Sequence, residues 1–325
     1  MNEISPERPY FSIVLPTYQV EKYIDRCIGS CVDQTFGDFE VIVVDDRGMD
    51  SSIEKASNWK HKDQRIKIVT NPRNLGTYHA RRVGVEHATG HYILFLDPDD
   101  TLEPQALEIL HNKTAPNRPD LLLFGVSTSP YRKRKKLVLP QDAQSNNEVL
   151  KNCFLSSAFF NFGTPGKVYA RHIIQSAFHI VNVNPNDKLV LGEDALLFFA
   201  ATTLASKSAS VHHDLYVYYQ HPDSITNKKD ANSVLIKSKY LYRSISYLYT
   251  LLASEACNSM IAEKCGKRVI DSLRFDLARM RRHLAHEIGK GVYLECIIEM
   301  LKLQTRPAEI IRIVAYFFSA GMVRL

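Results

Sequence analysis

The sequence predicts an α/β protein: a mostly parallel sheet with flanking helices, followed by a helical C-terminal region. Three observations predict it. Short apolar runs recur through the first 125 residues, helical patterns lie between them, and from Ser233 onward aromatics and leucines recur at spacings of three and four. Strand–helix–strand repetition at this spacing builds a parallel sheet with helices on both faces.

The runs FSIVL (Phe11–Leu15), EVIVV (Glu40–Val44), IKIV (Ile66–Val69), YILFL (Tyr92–Leu96) and LLLF (Leu121–Phe124) are the expected strands. Near-continuous apolar runs of that length suit strands covered on both faces. Between them Val20–Val32, Ser51–Trp59, Thr77–Ala88 and Glu103–His111 are expected to be helical. Residues 130–165 are less regular, and RKRKK at Arg132–Lys136 reads as an exposed loop or hairpin. A helix is expected over Glu193–Leu204 and a strand over Ala209–Tyr219. Tyr240, Leu241, Tyr247, Leu248 and Leu251 carry the helical pattern of the last third.

Composition narrows the class. The chain has 325 residues, 45% hydrophobic and 23% charged, which excludes wholesale disorder. No run approaches the roughly 18 apolar residues that span a bilayer; the longest apolar-rich stretch, Ala195 to Ala205, is too short and holds two threonines. The N-terminal MNEISPERPY lacks the basic-then-apolar order of a secretory leader. Six scattered cysteines without a CxxC indicate free thiols in a reducing cytosol. Charge is uneven. Residues 231–325 hold 15 Lys and Arg against 8 Asp and Glu, whereas the remainder holds 26 against 27. A basic C-terminal segment suits an anionic surface, and equally a solvated helical face. Arg268, Arg274, Arg279, Arg281, Arg282 and Arg312 accompany apolar faces, so these helices suit either peripheral contact with an anionic leaflet or packing on the core.

In a parallel sheet ligands sit beyond the carboxyl ends of the strands. There the chain places Pro16-Thr17-Tyr18, Asp45-Asp46, Asn71 to Asn74 and Asp97-Pro98-Asp99-Asp100. No GxGxxG or GxxxxGKS follows any strand, which argues against dinucleotide dehydrogenases and P-loop NTPases. Strand-like alternation points Asp97 and Asp99 the same way. Two such hard oxygen donors suit Mg²⁺ or Mn²⁺ shared with a diphosphate. The same residues also suit a turn, with Asp100 or Thr101 capping a helix near Glu103. Asp45-Asp46 can accept from a uracil imide or a ribose hydroxyl, or cap the next helix. Arg81, on a helix fed by the Gly76 turn, can face a diphosphate or lie exposed. Gly192-Glu193-Asp194 reads as a helix N-terminus favoured by the dipole, and also places a carboxylate where a general base would stand.

These pieces form a recognisable set. SIVLPTYQVEKYIDRCIGSCVDQTFGDFEVIVVDD and NLGTYHARRVGVEHATGHYILFLDPDD, followed by GEDALLF and VYYQHPDSIT, resemble the family 2 glycosyltransferases with the GT-A fold. The resemblance implies an inverting enzyme of surface-polysaccharide assembly. It implies a UDP-linked donor, a divalent cation (Mn²⁺ or Mg²⁺), and a glycan or lipid-linked glycan acceptor. It maps Pro16, Thr17, Tyr18, Asp45, Asp46, Arg81, Asp97, Pro98, Asp99 and His221 onto the nucleotide-sugar site. Asp97 and Asp99 fall on the metal motif, Asp194 on the catalytic base, and Glu193 and Ser224 on the acceptor side. His221 and Ser224 lie on a loop that in relatives closes over the diphosphate. Where many members read DDGS, this chain has Arg47 after Asp45-Asp46. Three units follow: 1–115 for the nucleotide-sugar, 116–230 for the acceptor, and 231–325 helical. A cytoplasmic location, with peripheral contact on the inner membrane face, fits this reading.

Two other classes draw on the same residues. A nucleotidyltransferase would need a Gly-rich first loop with a basic residue, which PTYQVEKY does not resemble. A non-catalytic nucleotide-binding relative finds support only in Arg132–Lys136, and no nucleic-acid motif accompanies that run. Cys27 and Cys31 read as small buried groups, and the histidines, His212-His213 included, lack a zinc pattern. Trp59 reads as a packing residue. Tyr216, Tyr218 and Tyr219 suit strand packing more than contact with a sugar.

Overall fold

A computed structural model describes residues 8–130, 139–156, 162–221 and 230–288. Arg132–Lys136, Ser224, Cys296 and Arg312, with the side chains of Arg281 and Arg282, lie outside the described residues.

The described chain forms an eight-stranded sheet with helices around it. In chain order the elements are β1 (Phe11–Thr17), α1 (Ile24–Val32), β2 (Phe39–Asp45), α2 (Ser52–Lys62), β3 (Ile66–Thr70), α3 (Thr77–His87), β4 (Tyr92–Phe95), β5 (Thr101–Leu102), α4 (Ala106–Asn117), β6 (Leu121–Ser129), α5 (Asn146–Leu150), β7 (Lys167–Ala170), α6 (Arg171–Val181), α7 (Glu193–Leu204), β8 (Ser208–Tyr219), α8 (Ala231–Leu252) and α9 (Met260–Ile288). A π-helical turn at Lys151–Leu155 continues α5.

The strand order is β3-β2-β1-β4-β7-β6-β8-β5. Pairs β1–β2, β1–β4, β2–β3 and β6–β8 are parallel, while β4–β7, β6–β7 and β5–β8 are antiparallel. The sheet is therefore mixed, and its all-parallel half is β3-β2-β1-β4. That half is covered on both faces, which is why β1, β2 and β4 read as unbroken apolar runs. On α1, Ile24, Cys27, Ile28 and Cys31 are buried at helical spacing, so its two cysteines are free core thiols. Trp59 packs partly buried against the core and donates from Nε1 to Asp25 at 3.0 Å. His212 and His213 are exposed, at a register shift between β8 and β6.

One boundary differs in a way that matters for the site. The helix expected from Glu103 starts at Ala106, because Thr101 and Leu102 pair with Val217 and Tyr216. The C-terminal helices also reach the core. Leu241, Leu248, Cys265, Val269 and Leu277 are buried, and Ser244 Oγ donates to the Leu191 carbonyl at 2.9 Å, just before α7. No described helix is long and apolar enough to cross a membrane.

Candidate active site

Because β1, β2 and β4 run parallel, their carboxyl ends meet at one rim. At the end of β1 Thr17 is buried and Tyr18 is 44% exposed, with the Lys188 ammonium 5.8 Å from its ring centre. Pro16 still pairs with Val44 inside the sheet.

After β2, neither acid caps a helix. Asp45 Oδ1 accepts from the Arg47 N–H at 2.8 Å. Arg47 sits at φ 61°, a left-handed position suited to the small residue of the DDGS pattern, and its Nε donates to the Asn71 carbonyl at 2.7 Å. Asp46 is buried. Its carboxylate accepts from Asn71 Nδ2 (2.8 Å), Leu75 N (2.8 Å) and Gly76 N (2.9 Å). Asp46 thus fastens the loop that starts α3. Gly76 has φ 88°, and a Cβ there would lie 2.8 Å from Lys188 Cγ, so this turn requires glycine.

After β4 three carboxylates follow in a row. Asp97 is partly exposed, and its Oδ1 accepts from Arg81 Nη2 at 2.9 Å. Pro98 is buried. Asp99 is partly exposed, and burial, then the neighbouring Asp97 charge, push its carboxyl up to about 6. Asp100 is fully buried. Its oxygens accept from the Tyr216 hydroxyl at 2.6 Å and from the Tyr219 N–H at 2.8 Å, and burial followed by Asp97 and Asp99 pushes it up to about 8. Asp100 therefore ties the rim to β8 and caps no helix. Tyr216 likewise belongs to strand packing, its oxygen also accepting from the Asp97 N–H at 3.2 Å.

Arg81 is buried on α3, where it joins two acids far apart in the chain. Nη2 holds Asp97, and Nη1 donates to Glu193 Oε1 at 3.0 Å. Burial works against its charge, but Asp97, Glu193 and Asp194 more than restore it. Glu193 is buried, and burial with the adjacent Asp194 charge pushes it up to about 7 against the pull of Arg81. Asp194 stays partly exposed, its Oδ1 accepting from the Ala195 N–H at 2.8 Å. Burial raises its pKa, while Arg81 and then Lys167 oppose the rise. Both acids open α7 after Gly192, whose φ of 78° and 3.0 Å approach to Leu241 Cδ2 fix the turn.

His221 stacks on Tyr23, with ring centroids 4.1 Å apart and planes 29° apart, and its positive form acts on Asp99. Arg26 went unread in the sequence. Its guanidinium lies 3.5 Å from the Tyr219 ring centre, and Nη2 donates to the Asp99 carbonyl at 2.7 Å. No local pattern announces it, since it sits on an ordinary amphipathic helix.

The arrangement thus brings Asp97, Arg81, Glu193 and Asp194 into one buried network, with Asp99 and His221 beside it. Asp45 and Asp46, at the end of β2, hold the backbone of Arg47, Leu75 and Gly76. Among the described residues no three His, Cys, Asp or Glu side chains surround a metal position. A hard divalent cation nevertheless fits Asp97 and Asp99: burial and then the Asp97 charge raise Asp99, the Arg81 hydrogen bond engages only Oδ1 of Asp97, and a bound diphosphate would supply further oxygens.

Comparison with known proteins agrees with this geometry. Residues 12–164 match the model of glycosyl transferase family 2. Residues 12–164 are thus similar to a family 2 glycosyltransferase domain. The chain is 42% identical over 100 residues to an uncharacterized glycosyltransferase of Haemophilus influenzae, covering 31% of this chain and 40% of that protein. It is 27% identical over 220 residues to the uncharacterized glycosyltransferase EpsJ of Bacillus subtilis, covering 67% and 63%. The chain thus spans less than two thirds of the length of either relative. Among solved structures, Staphylococcus aureus TarS 1-349 in complex with UDP-GlcNAc superposes with a TM-score of 0.63 at 18% identity, covering 96% of this chain and 83% of that one. The mannosyltransferase PcManGT of Pyrobaculum calidifontis, in complex with GDP-Man and Mn²⁺, gives 0.55 at 14%, covering 97% and 87%. At these identities the likeness is one of fold, and the fold here is of the GT-A type.

Proposed function

We propose that this chain is an inverting glycosyltransferase that moves a sugar from a nucleotide-sugar, UDP-linked, to a hydroxyl of a glycan acceptor in surface-polysaccharide assembly. The observation that carries the reading is the Arg81 bridge: one buried guanidinium holds Asp97, on the donor side, and Glu193, next to Asp194. The pairing of a diphosphate-side acid with an acceptor-side base is what displacement at an anomeric carbon needs.

Each residue then has a task. The Tyr18 ring and Asp45 line the nucleotide end, with Pro16 and Thr17 shaping the strand end behind them. Asp46 acts through the loop that it fastens to α3. Asp97 and Asp99 would hold Mn²⁺ or Mg²⁺, which offsets charge on the departing diphosphate when bound. His221 and Arg26 add positive potential around Asp99. Of the two acids on α7, Glu193 is closed in by Arg81, whereas Asp194 is partly exposed and among the described residues keeps an oxygen without a hydrogen-bond donor. Asp194 therefore takes the proton. As the acceptor oxygen bonds to the anomeric carbon, its proton passes to the Asp194 carboxylate. The bond to the nucleoside diphosphate breaks with its electron pair going to the leaving phosphate oxygen. Burial raises the basicity of Asp194, as a base working near neutrality requires.

The three-unit division at 115 and 230 belongs to this proposal, with α8 and α9 completing the acceptor side through their packing on α7. So do a cytoplasmic location and peripheral membrane contact through the basic residues 231–325. The deciding experiment is Asp194→Asn. Transfer from a UDP-sugar with Mn²⁺ is expected to vanish while UDP still binds by calorimetry. Retained transfer would reject Asp194 as the base.

A further inference from the structure

Lys167 takes no part in the scheme above, yet it is a cation buried inside the sheet. It lies on β7 between β4 and β6 and is 4% exposed. Its Nζ donates to the carbonyls of Gly163 and Pro165 and lies 4.8 Å from the centre of the Phe198 ring. Carbonyls and a ring face solvate an ammonium but do not neutralise it. Burial pulls Lys167 down to about 8, and Asp194 is the first charge that pulls it back.

Helical geometry explains the pairing. Phe198 follows Asp194 by four residues on α7, so both side chains lie on one face, and side chains lean toward the helix N-terminus. An ammonium over the Phe198 ring is therefore beside the turn that carries the Asp194 carboxylate. From α3, Arg81 faces the same carboxylate, but its hydrogen bonds go to Asp97 and Glu193. Asp97 at the end of β4 adds an opposing negative charge, and Asp276 on α9 lies within reach of the Asp194 charge. Glu193 adjoins it on α7, and Tyr169, also on β7, is a neighbour too. Lys167 is thus, with Arg81, one of two buried cations that act on the Asp194 carboxylate.

We infer that Lys167 is a positioning residue for the acceptor-side base, its buried ammonium keeping the Asp194 carboxylate ionised and aimed at the incoming hydroxyl. The inference rests on Asp194 being that base. A cation beside a carboxylate favours its ionised form, so removing Lys167 should make Asp194 harder to ionise.

The test uses the full chain labelled with ¹³C at aspartate carboxyls and lysine Cε, with the Asp194 signal assigned by its loss in Asp194→Asn. In Lys167→Met the Asp194 titration is expected to move to higher pH, and in Lys167→Arg to stay near wild type. Turnover of UDP-N-acetylglucosamine or UDP-glucose, with water in the acceptor's place, should fall roughly tenfold further at about pH 6 than at about pH 9 in Lys167→Met. An unmoved Asp194 titration in folded Lys167→Met overturns the inference. Should that variant not fold, the reciprocal measurement decides: Asp194→Asn must shift the Lys167 titration to lower pH, and an unmoved Lys167 overturns the inference. Loss of transfer in Asp194→Asn with an unmoved Lys167 would sink this inference alone, whereas retained transfer in Asp194→Asn would sink the base assignment beneath it.

Discussion

Replacing Arg81 by methionine removes the one side chain that joins the two acidic groups of the site. The guanidinium is 4% exposed and makes two charge-assisted bonds, at 2.9 Å to Asp97 and 3.0 Å to Glu193. Removing one partner of a buried ion pair costs about 3–5 kcal/mol, because the remaining charge has no compensation. Here Glu193 limits the loss: it already stands at about 7, so without Arg81 it takes up a proton near neutrality. The lower end, about 3 kcal/mol, is therefore expected at neutral pH. For a chain of this size that corresponds to a Tm lower by roughly 4–5 °C. The pH dependence has a definite sign. A carboxyl whose folded-state pKa lies above its unfolded value contributes stability that is fully present below the unfolded value and is lost as pH rises through the folded one. Without Arg81 the folded-state pKa of Glu193 rises further, so the deficit of Arg81→Met against wild type should be small near pH 5 and grow toward pH 8. Thermal unfolding followed by circular dichroism at both pH values checks this. Arg81→Lys should recover only part of the stability, since a single ammonium cannot span both acids as a planar fork does. A deficit under about 2 °C, or one equal at both pH values, would refute the bridging role.

Other substitutions test the supports of the site. Tyr216→Phe removes the hydroxyl from Asp100 and from the Asp97 N–H, leaving both buried groups short of a partner. A loss of about 1–3 kcal/mol in denaturant unfolding is expected, and no change would remove Asp100 as the tie between rim and β8. Gly192→Ala puts a side chain at φ 78° and 3.0 Å from Leu241 Cδ2. It should cost about 1–2 kcal/mol and reduce transfer more than UDP binding, because it displaces Glu193 and Asp194 but not the rim of β4. Equal loss of both would indicate general unfolding of the site.

The parallel half of the sheet was legible because its strands are covered on both faces, and an apolar run such as EVIVV needs no partner information to be recognised. The rim acids were legible for the same reason, since parallel strands put their carboxyl ends together. What escaped depends on long-range pairing. β7 is four residues with a lysine at its start, and only its position between β4 and β6 makes it a strand. The helix α6 does carry a readable pattern at Ile173, Ile174, Ala177, Phe178 and Val181, but no strand announces it. Asp100 looked like a helix cap locally, and its partner Tyr216 lies 116 residues away. Locally Arg81 suits either a diphosphate or an exposed helix face; that it also links two carboxylates, 16 and 112 residues distant, depends on long-range packing that no local pattern carries.

The central claim is that Asp97 and Asp99 hold a cation against the donor pyrophosphate, facing Asp194 across a common pocket. Anomalous diffraction at the manganese edge, from crystals grown with UDP and Mn²⁺, tests it most directly. One peak within bonding distance of both carboxylates and the diphosphate oxygens is the predicted result. Bound UDP whose manganese peak touches neither carboxylate would contradict it.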